Sequence, residues 1–465
     1  MADPLWTSDE LLAGAAGRFN GAAFAATGVS IDTRTIQPGD LFVALSGARD
    51  GHDFIDQALA KGAAGALAAK DGPGARILVG DTLGALEQLG AAARDRAANA
   101  RRGAVTGSVG KTSVTQAVAA GLALAGPSHA SVQSYNNHIG VPLTLARMPR
   151  GTRRGVFEIG MNHADEIAPL SRMVRPHAAV ITTVGPVHVE NFPDGEIGVA
   201  RAKAEIFAGV RPGGAAILNA DNAWFDLLKA EAERADLKVI AFGSGETCDG
   251  RLTSFSVGGE GAAVRACLHG RDIAFTLKQT GVQWGLNSLA VLLLLEALDV
   301  DLDTGVKALA DFAPLEGRGR DRVIHAPKGD FTLVDDSFNA NSLSVGAALA
   351  TLGARPAAGR RIVALTDMLE LGDQAPALHA GLAESIARAK VDLVFCAGPL
   401  MHSLWLTLPP TRRGGYAESA ERLAPKLVDS VASGDVVLVK GSKGSKASAL
   451  AKALAALDAG AGNEI

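Results

Sequence analysis

Short apolar runs, most of them ending at a glycine or a polar side chain, alternate along this chain with Ala/Leu-rich segments of helical period. That alternation marks βα units, in which helices cover a mainly parallel sheet. In a first block the runs predict strands at 41–45, 66–69 and 77–79, closed by an Ala/Arg-rich helix that runs into residues 100–103. A second block opens with a strand at 104–106 and continues with strands at 156–159, 179–183, 215–218 and 239–242. Residues 251–280 change character: RLTSFSV, AAVRACLHG and DIAFTL alternate and are separated by glycines, which predicts hairpins appended to the parallel sheet. A helix over 286–298 follows, and the block ends near 314–317. The third block repeats the α/β pattern with strands at 331–334, 362–365, 393–396 and 436–439. Most of these run straight into polar groups, namely Asp335 and Asp336, Thr366 and Asp367, and Lys440 to Ser442. Ligands of open α/β sheets sit beyond the carboxyl ends of strands, so this concentration predicts a site shared between facing domains. The Gly/Ala-rich tail after Asp458 reads as a frayed end.

A chain of 465 residues exceeds one hydrophobic core and suggests about three domains. Its net charge of -4 gives no electrostatic reason to expect nucleic acid, so small anions would have to be held by local groups. Cys248, Cys267 and Cys396 lie far apart without C-x-x-C spacing and read as reduced, structural thiols of a cytoplasmic protein. The opening residues lack the basic and apolar regions of a signal peptide, and the longest apolar run, 289–295, is too short to cross a bilayer. The expectation is an enzyme working in solution, without membrane insertion.

Residues 106–113 read TGSVGKTS between a predicted strand and a helix reaching about residue 124. Gly107 and Gly110 let the backbone wrap around phosphate oxygens, and the helix start directs N–H groups at them. Lys111 suits β/γ-phosphate charge, and the Thr112 hydroxyl suits Mg²⁺. The strict eight-residue phosphate-loop pattern would need glycine where Val105 stands, so the general motif is not met and a plain glycine turn is the competing reading. The loop alone points to ATP or GTP and says nothing of the acceptor. Glu158, flanked by Phe157 and Ile159 at the end of a predicted strand, would be costly to bury unless a cation compensated it.

The shortened loop T-G-x-x-G-K-T resembles that of the Mur ligases and their folylpolyglutamate synthetase relatives, and the rest of the chain falls into register with the Mur ligase family. SIDTRTIQPGDLFVALSG (30–47) and DGHDFIDQALAKGA (50–63) look like its uridine-nucleotide domain. NNHIGVPLTLAR (136–147), FEIGMNHADEI (157–167), KAEIF (203–207), DDSFNANS (335–342), TDMLELGD (366–373) and KGSK (440–443) resemble the branch that adds D-alanyl-D-alanine. The resemblance implies a three-domain α/β protein: a UDP-binding α/β domain over 1–100, a central P-loop ATPase-like parallel sheet with appended hairpins over 101–316, and a Rossmann-like ligase domain over 317–465. It implies ATP-dependent joining of D-alanyl-D-alanine to UDP-N-acetylmuramoyl-tripeptide through an acyl phosphate, in peptidoglycan precursor synthesis, by a monomer.

The same resemblance assigns roles. Thr106 to Ser113, that is Thr106, Gly107, Ser108, Val109, Gly110, Lys111, Thr112 and Ser113, would hold ATP together with Asn287, Arg318 and Asp336. Thr112 and Glu158 would bind one Mg²⁺, and His188 with a carbamylated Lys203 a second. Without the resemblance, His188 is a loop histidine and Lys203 the solvated face of an amphipathic helix, and sequence cannot separate a carbamate from a free amine. Asn136 and Asn137 would orient the acyl phosphate or bound water, and as plain chemistry they are equally turn formers. Asp32, Thr33, Arg34, Ser46, Gly47, Asp50, Gly51 and His52 would take the UDP moiety. Asn339, Asn341, Lys440, Ser442 and Lys443 would shape the amino-substrate pocket, against the reading of a polar, lysine-rich connection.

Several positions depart from the pattern. Gln283 and Trp284 replace the first members of an H-N-x-x-N run, Phe338 and Ser342 replace a Tyr and a Pro, Thr366 replaces a Gly, and Lys443 replaces an Arg. Two rivals remain at this stage. A sister ligase adding a diamino acid to the muramoyl dipeptide typically has D-Y-A-H-T-P where this chain has the Asn-Ala-Asn run. A P-loop switch protein would need neither His188 with Lys203 nor three domains.

Overall fold

The computed structural model describes residues 4–132, 134–258 and 261–458; the tail after Asp458 lies outside the described residues. Three sheets, separate in sequence, carry the chain. The first has five strands in the spatial order Arg18–Asn20, Arg76–Leu78, Gly65–Ala68, Asp40–Val43 and Gly28–Ser30. All its pairings are parallel except the antiparallel edge made by Arg18–Asn20. The two three-residue strands at its edges are too short to alternate visibly and were not expected from the sequence pattern. Helix Thr82–Arg96 closes this unit and packs on helix Gly140–Ala146 of the next. Trp6 pins that junction: its indole N–H donates to Ala146 O at 2.9 Å while the Arg96 guanidinium lies 3.9 Å over its ring.

The central sheet has nine strands, ordered Arg271–Leu277, Gly261–Leu268, Gly250–Gly258, Lys238–Gly243, Ala215–Asn219, Ala178–Ile181, Arg101–Thr106, Arg154–Glu158 and Ser128–Ala130. The first three form an antiparallel meander, as the alternation over 251–280 predicts, and join a parallel sheet through Gly250–Gly258. Helix Trp284–Ala297 is buried along nearly its whole length, so its continuous Leu289–Leu295 run faces protein on every side. It packs between the sheet and helix Lys111–Leu124. The approach is close: a Cβ on Gly121 would come within 2.6 Å of the Leu295 side chain.

The third sheet runs Arg320–Ile324, Phe331–Asp336, Val436–Lys440, Arg361–Thr366, Leu393–Ala397 and Arg413–Ala417, parallel except for the first pair. Val436–Lys440 lies between Phe331–Asp336 and Arg361–Thr366, so Asp336, Lys440 and Thr366 end side by side. No helix among the described residues is long and apolar enough to cross a membrane. Because Leu294 is fully buried between helix, sheet and Gly103, Leu294→Ala is expected to cost about 2–5 kcal/mol, read as a lowered urea midpoint of the central unit.

Candidate active site

The phosphate turn is set by two adjacent strands. After Arg101–Thr106 the chain bends at Gly107 (φ 149°) and Gly110 (φ 89°) into helix Lys111–Leu124. A Cβ at Gly107 would lie 1.9 Å from Thr182 Oγ1, so only glycine fits beside the neighbouring strand. The loop is further tied by Ser108 N donating to Thr183 O (2.8 Å), Ser108 Oγ to Gly185 O (3.1 Å) and Thr182 Oγ1 to Val109 O (2.5 Å). Lys111 Nζ closes back on Gly107 O at 2.6 Å. Thr106 Oγ1 is buried without a partner.

A cavity of about 320 Å³ opens over this turn, between the carboxyl ends of the central and third sheets. From the central unit it is lined by the residues from Ser108 to Ser113 and by Asn136, Glu158 and Asn287; from the third come Arg318, Asp336, Asn339, Asn341 and Lys440. The structure therefore brings Thr112 and Glu158 to one cleft with Asn136, Asn287, Arg318, Asp336, Asn339, Asn341 and Lys440, whereas His188, Ser442 and Lys443 line an adjoining recess and Lys203 lines neither. Asn287 stands within about 3.3 Å of where a Gly110 side chain would begin. Arg318 lies 4.0 Å over the face of Phe338 and donates from Nη2 to Ser134 Oγ (3.2 Å). The ring face that holds it needs no hydroxyl, so the missing tyrosine oxygen leaves this contact intact. Ser134 Oγ in turn stands 3.5 Å from Thr112 Oγ1, a link between phosphate turn and third unit that local sequence pattern gives no sign of.

Glu158 is 1% exposed. Its Oε1 accepts from Asn136 Nδ2 at 2.6 Å, while Oε2 is buried with no hydrogen-bond partner. Burial lowers the pKa of Lys111, against the raising effect of Glu158 and with a further lowering by Arg318. Lys203, on helix Glu196–Ala204, is 2% exposed rather than on a solvated face. No hydrogen bond or ion pair reaches its amine among the described residues. Burial, and then the Lys111 cation, push its pKa well below the ordinary lysine value. His188 has a left-handed backbone (φ 58°) and is pushed down to about 4 by burial and by Lys111 and Lys203. Its Nδ1 comes 2.6 Å from Glu370 Oε2, without the angles of a hydrogen bond. Beside it, Glu190 Oε2 accepts from Gly372 N at 3.1 Å, so this loop meets the third unit twice.

Other expected residues serve the scaffold. Asn137 is exposed, and its Oδ1 accepts from Ile139 N and Gly140 N at the start of helix Gly140–Ala146 rather than lining the cleft. Asn341 lines the cleft and also caps helix Ser342–Ala354, with a reciprocal bond to Ser344. Lys440 Nζ donates to Asp336 Oδ2 (2.6 Å) and Asn339 O (3.0 Å), a buried pair joining two strand ends. Ser442 Oγ bridges Leu369 N and Ala340 O. Lys443, Asn339 and His188 share an adjoining recess of about 230 Å³ with Glu370, a residue of the TDMLELGD segment whose own neighbours give no sign of that role. Thr366 fits because Gly441 leaves space for its hydroxyl, which lies 2.6 Å from Ser445 Oγ. Trp284 borders the cleft but is buried against Phe312, ring centres 5.8 Å apart.

In the N-terminal unit, Asp32, Thr33, Arg34, Ser46, Gly47 and Gly51 line a recess of about 410 Å³. Arg49 and Gln57 line it too and were missed, since neither sits in a distinctive local pattern. Arg34 is largely exposed and chelates Asp32, holding that carboxyl down at about 2. Asp50 and His52 lie outside the lining: Asp50 accepts from His52 and Lys70, and His52 Nε2 accepts from Ala69 N, which ties the 51–54 turn to the sheet. Ile139, only a few residues beyond Asn136, forms part of the same recess.

Models of the Mur ligase middle domain, the Mur ligase glutamate ligase domain and the Mur ligase family catalytic domain match residues 105–295, 319–443 and 25–98. The UDP-N-acetylmuramoyl-tripeptide--D-alanyl-D-alanine ligase of Escherichia coli is 34% identical over 94% of this chain and 96% of its own. MurF from Acinetobacter baumannii superposes with a TM-score of 0.85 at 27% identity, covering 98% of this chain and 99% of its own. MurF ligase from Thermotoga maritima in complex with ADP shares the fold, with a TM-score of 0.78 at 24% identity over 92% and 97% of the two chains. Removing the one group that satisfies the buried Glu158 should destabilise the ligand-free protein: Asn136→Ala is expected to cost about 1–3 kcal/mol, measured by chemical denaturation.

Proposed function

This chain belongs to the Mur ligase family, and we propose that it joins D-alanyl-D-alanine to UDP-N-acetylmuramoyl-tripeptide, converting ATP to ADP and phosphate. The observation that carries this reading is the cleft in which the phosphate turn of one unit faces Arg318, Asn339 and Lys440 of another. It has the three things amide ligation requires: a triphosphate grip, a second sheet end for the attacking amine, and walls that exclude water.

The peptide carboxylate attacks the γ-phosphorus, ADP leaves, and the acyl phosphate is then attacked by the amine of D-alanyl-D-alanine, releasing phosphate. Gly107 to Ser113 wrap the β- and γ-phosphates, Lys111 leaves its resting bond to Gly107 O to neutralise them, and Asn287 and Arg318 close over the nucleotide. Asp336, drawn by Lys440, fixes the strand end near the nucleotide. Asn339, Asn341, Ser442 and Lys443 shape the pocket for the incoming dipeptide, with Lys443 supplying a point charge for its carboxylate. Asn136 holds Glu158 in place. Asp32, Thr33, Arg34, Ser46, Gly47 and Gly51 take the uridine-diphosphate end, and the 136–139 segment links that recess to the reacting end.

The residues suit magnesium: Glu158 offers a buried oxygen with no protein partner, Thr112 a hydroxyl at the helix start, and Mg²⁺ characteristically completes its shell with phosphates and water. When bound there it would neutralise charge on the transferring phosphoryl group. Lys203 suits carbamylation, because a buried amine that is disfavoured as a cation can add CO₂, releasing a proton and becoming an anion. That anion, with the neutral ring of His188, would offer ligands for a second magnesium. The protein works as a monomer in the cytoplasm, with its boundaries near 100 and 316 acting as the joints between domains.

The test is product formation. ADP release should require both UDP-N-acetylmuramoyl-tripeptide and D-alanyl-D-alanine, with the pentapeptide product seen by mass spectrometry. Release without the acceptors would favour a switch protein, and turnover with a diamino acid and the dipeptide would favour the sister ligase. Glu158→Ala is expected to lower kcat by about 100-fold or more in that assay. In ¹³C-bicarbonate, wild-type protein should show a carbamate resonance that Lys203→Arg lacks, and its absence from wild type would remove the modification from the mechanism.

A further inference from the structure

The amino ends of the central strands, the far side of the sheet from the phosphate turn, enclose a second cavity. Its volume is about 520 Å³. Four adjacent strands begin there in register: Gly103 pairs with Ala178, Ala178 with Ala215, and Ala215 with Lys238. The residues at or just before those starts are Arg101, His177, Arg211 and Lys238, so the register places three cations and an imidazole on one rim. The floor is apolar, formed by Ala215, Ile240, Leu293 and Ala297.

The charges are poorly compensated. Arg101 is held by Asp299 at 2.7 and 2.9 Å through Nε and Nη2. Arg211 spends one N–H on His177 Nε2 (2.9 Å), and neither it nor Lys238 has a carboxylate partner among the described residues. Behind them the buried Arg102 guanidinium donates to the carbonyls of Val174 and Ala100. Glu296, the carboxylate of the lining, is engaged by His269 at 2.9 Å. Burial, and after it the Arg102, Arg211 and Arg101 charges, holds His177 down at about 4. Arg102 itself is lowered to about 10 by burial and by repulsion from Arg211, Arg94 and Arg175. The Arg211 guanidinium and the Lys238 ammonium, which lack a carboxylate partner among the described residues, converge with the Asp299-paired Arg101 on a preformed recess and suit a multivalent oxyanion. A small apolar floor beside them suits the rest of a small molecule rather than a polymer.

We propose that this recess is a second anion site, which binds the phosphate or pyrophosphate group of a small molecule through Arg211, Lys238 and Arg101 and seats its apolar part on Ile240 and Leu293. The site is independent of the nucleotide cleft and does not rest on the ligase reading. It lies at the opposite ends of the same strands, and the buried helix Trp284–Ala297 connects the two: Trp284 and Asn287 border the cleft, while Leu293 and Ala297 border the recess.

The test uses inorganic pyrophosphate, titrated calorimetrically into the full chain carrying Lys111→Ala to silence the phosphate turn. Binding is expected, weakening as salt screens the rim. In that background Lys238→Glu and Arg211→Ala should each raise Kd by about tenfold or more, while Arg34→Ala in the N-terminal recess leaves it within about twofold. Lys238→Glu alters an exposed side chain and decides the matter should Arg211→Ala disturb folding. Absence of binding, unchanged affinity in Lys238→Glu, or loss through Arg34→Ala alone would each overturn the site. With Lys111 intact, Lys238→Glu should keep the parent ligation rate without pyrophosphate.

Discussion

Lys203 is buried with no ion-pair partner among the described residues, in the field of a second lysine, Lys111, that belongs to the phosphate turn. A core arranged for stability alone would not contain this arrangement, because a buried ammonium without a partner is costly and a neutral amine leaves its hydrogen-bonding capacity wanting. The nearby cleft holds Glu158 with one oxygen unpartnered among the described residues and a partly buried Arg318 whose pKa is lowered by desolvation, and the strand leading into its phosphate turn ends at Thr106, whose buried hydroxyl has no partner among them either. Each is a debt of hydrogen bonding or charge that phosphate, magnesium or a carbamate would settle. Thr106 and Glu158 stand at the carboxyl ends of neighbouring parallel strands, where violations of ordinary packing rules are expected to mark function, and Lys203 comes from helix Glu196–Ala204.

The surrounding structure keeps those groups from relaxing. Gly107 is confined by Thr182, Ser108 is tied to Thr183 and Gly185, and Asn136 grips Glu158. The buried helix Trp284–Ala297 backs helix Lys111–Leu124 with a full leucine surface, so the turn cannot sink into the core. The third unit meets this platform through scattered polar contacts, among them Arg318 to Ser134, His188 against Glu370, Glu190 to Gly372, Val282 N to Thr351 Oγ1 and Arg355 to Thr280, with Leu343 against Gly185. Polar junctions of this kind separate more readily than an apolar interface, which suits a cleft that must admit three substrates and then exclude water.

Much of this architecture was readable along the chain, because it rests on local periodicity. The longer strands at the centre of the parallel sheets, the helix after the phosphate turn, the appended meander and the long buried helix follow from alternation, helical period or continuous apolarity. Strands Arg18–Asn20, Gly28–Ser30 and Ser128–Ala130 escaped because three residues carry no period, and Arg320–Ile324 because it is a largely exposed edge. Arg413–Ala417, with two glycines, reads as a turn until its neighbour supplies the pairing.

At the site the division is sharper. Sequence determined the chemistry on offer: the glycine turn, Lys111, Thr112, the apolar-flanked Glu158, and motifs that resemble one ligase branch. Only tertiary structure decided that Lys203 is buried rather than solvated, that Asn137 caps a helix while Asn136 enters the cleft, and that Asp50 and His52 brace a turn rather than line the recess. It alone brought Ser134 between Thr112 and Arg318, and gathered Arg101, Arg211 and Lys238 on one rim. The reason is that a residue's type and its neighbours along the chain fix what it can donate, accept or carry. Its desolvation and its partners come from segments tens to hundreds of residues away, which only the folded chain brings into reach.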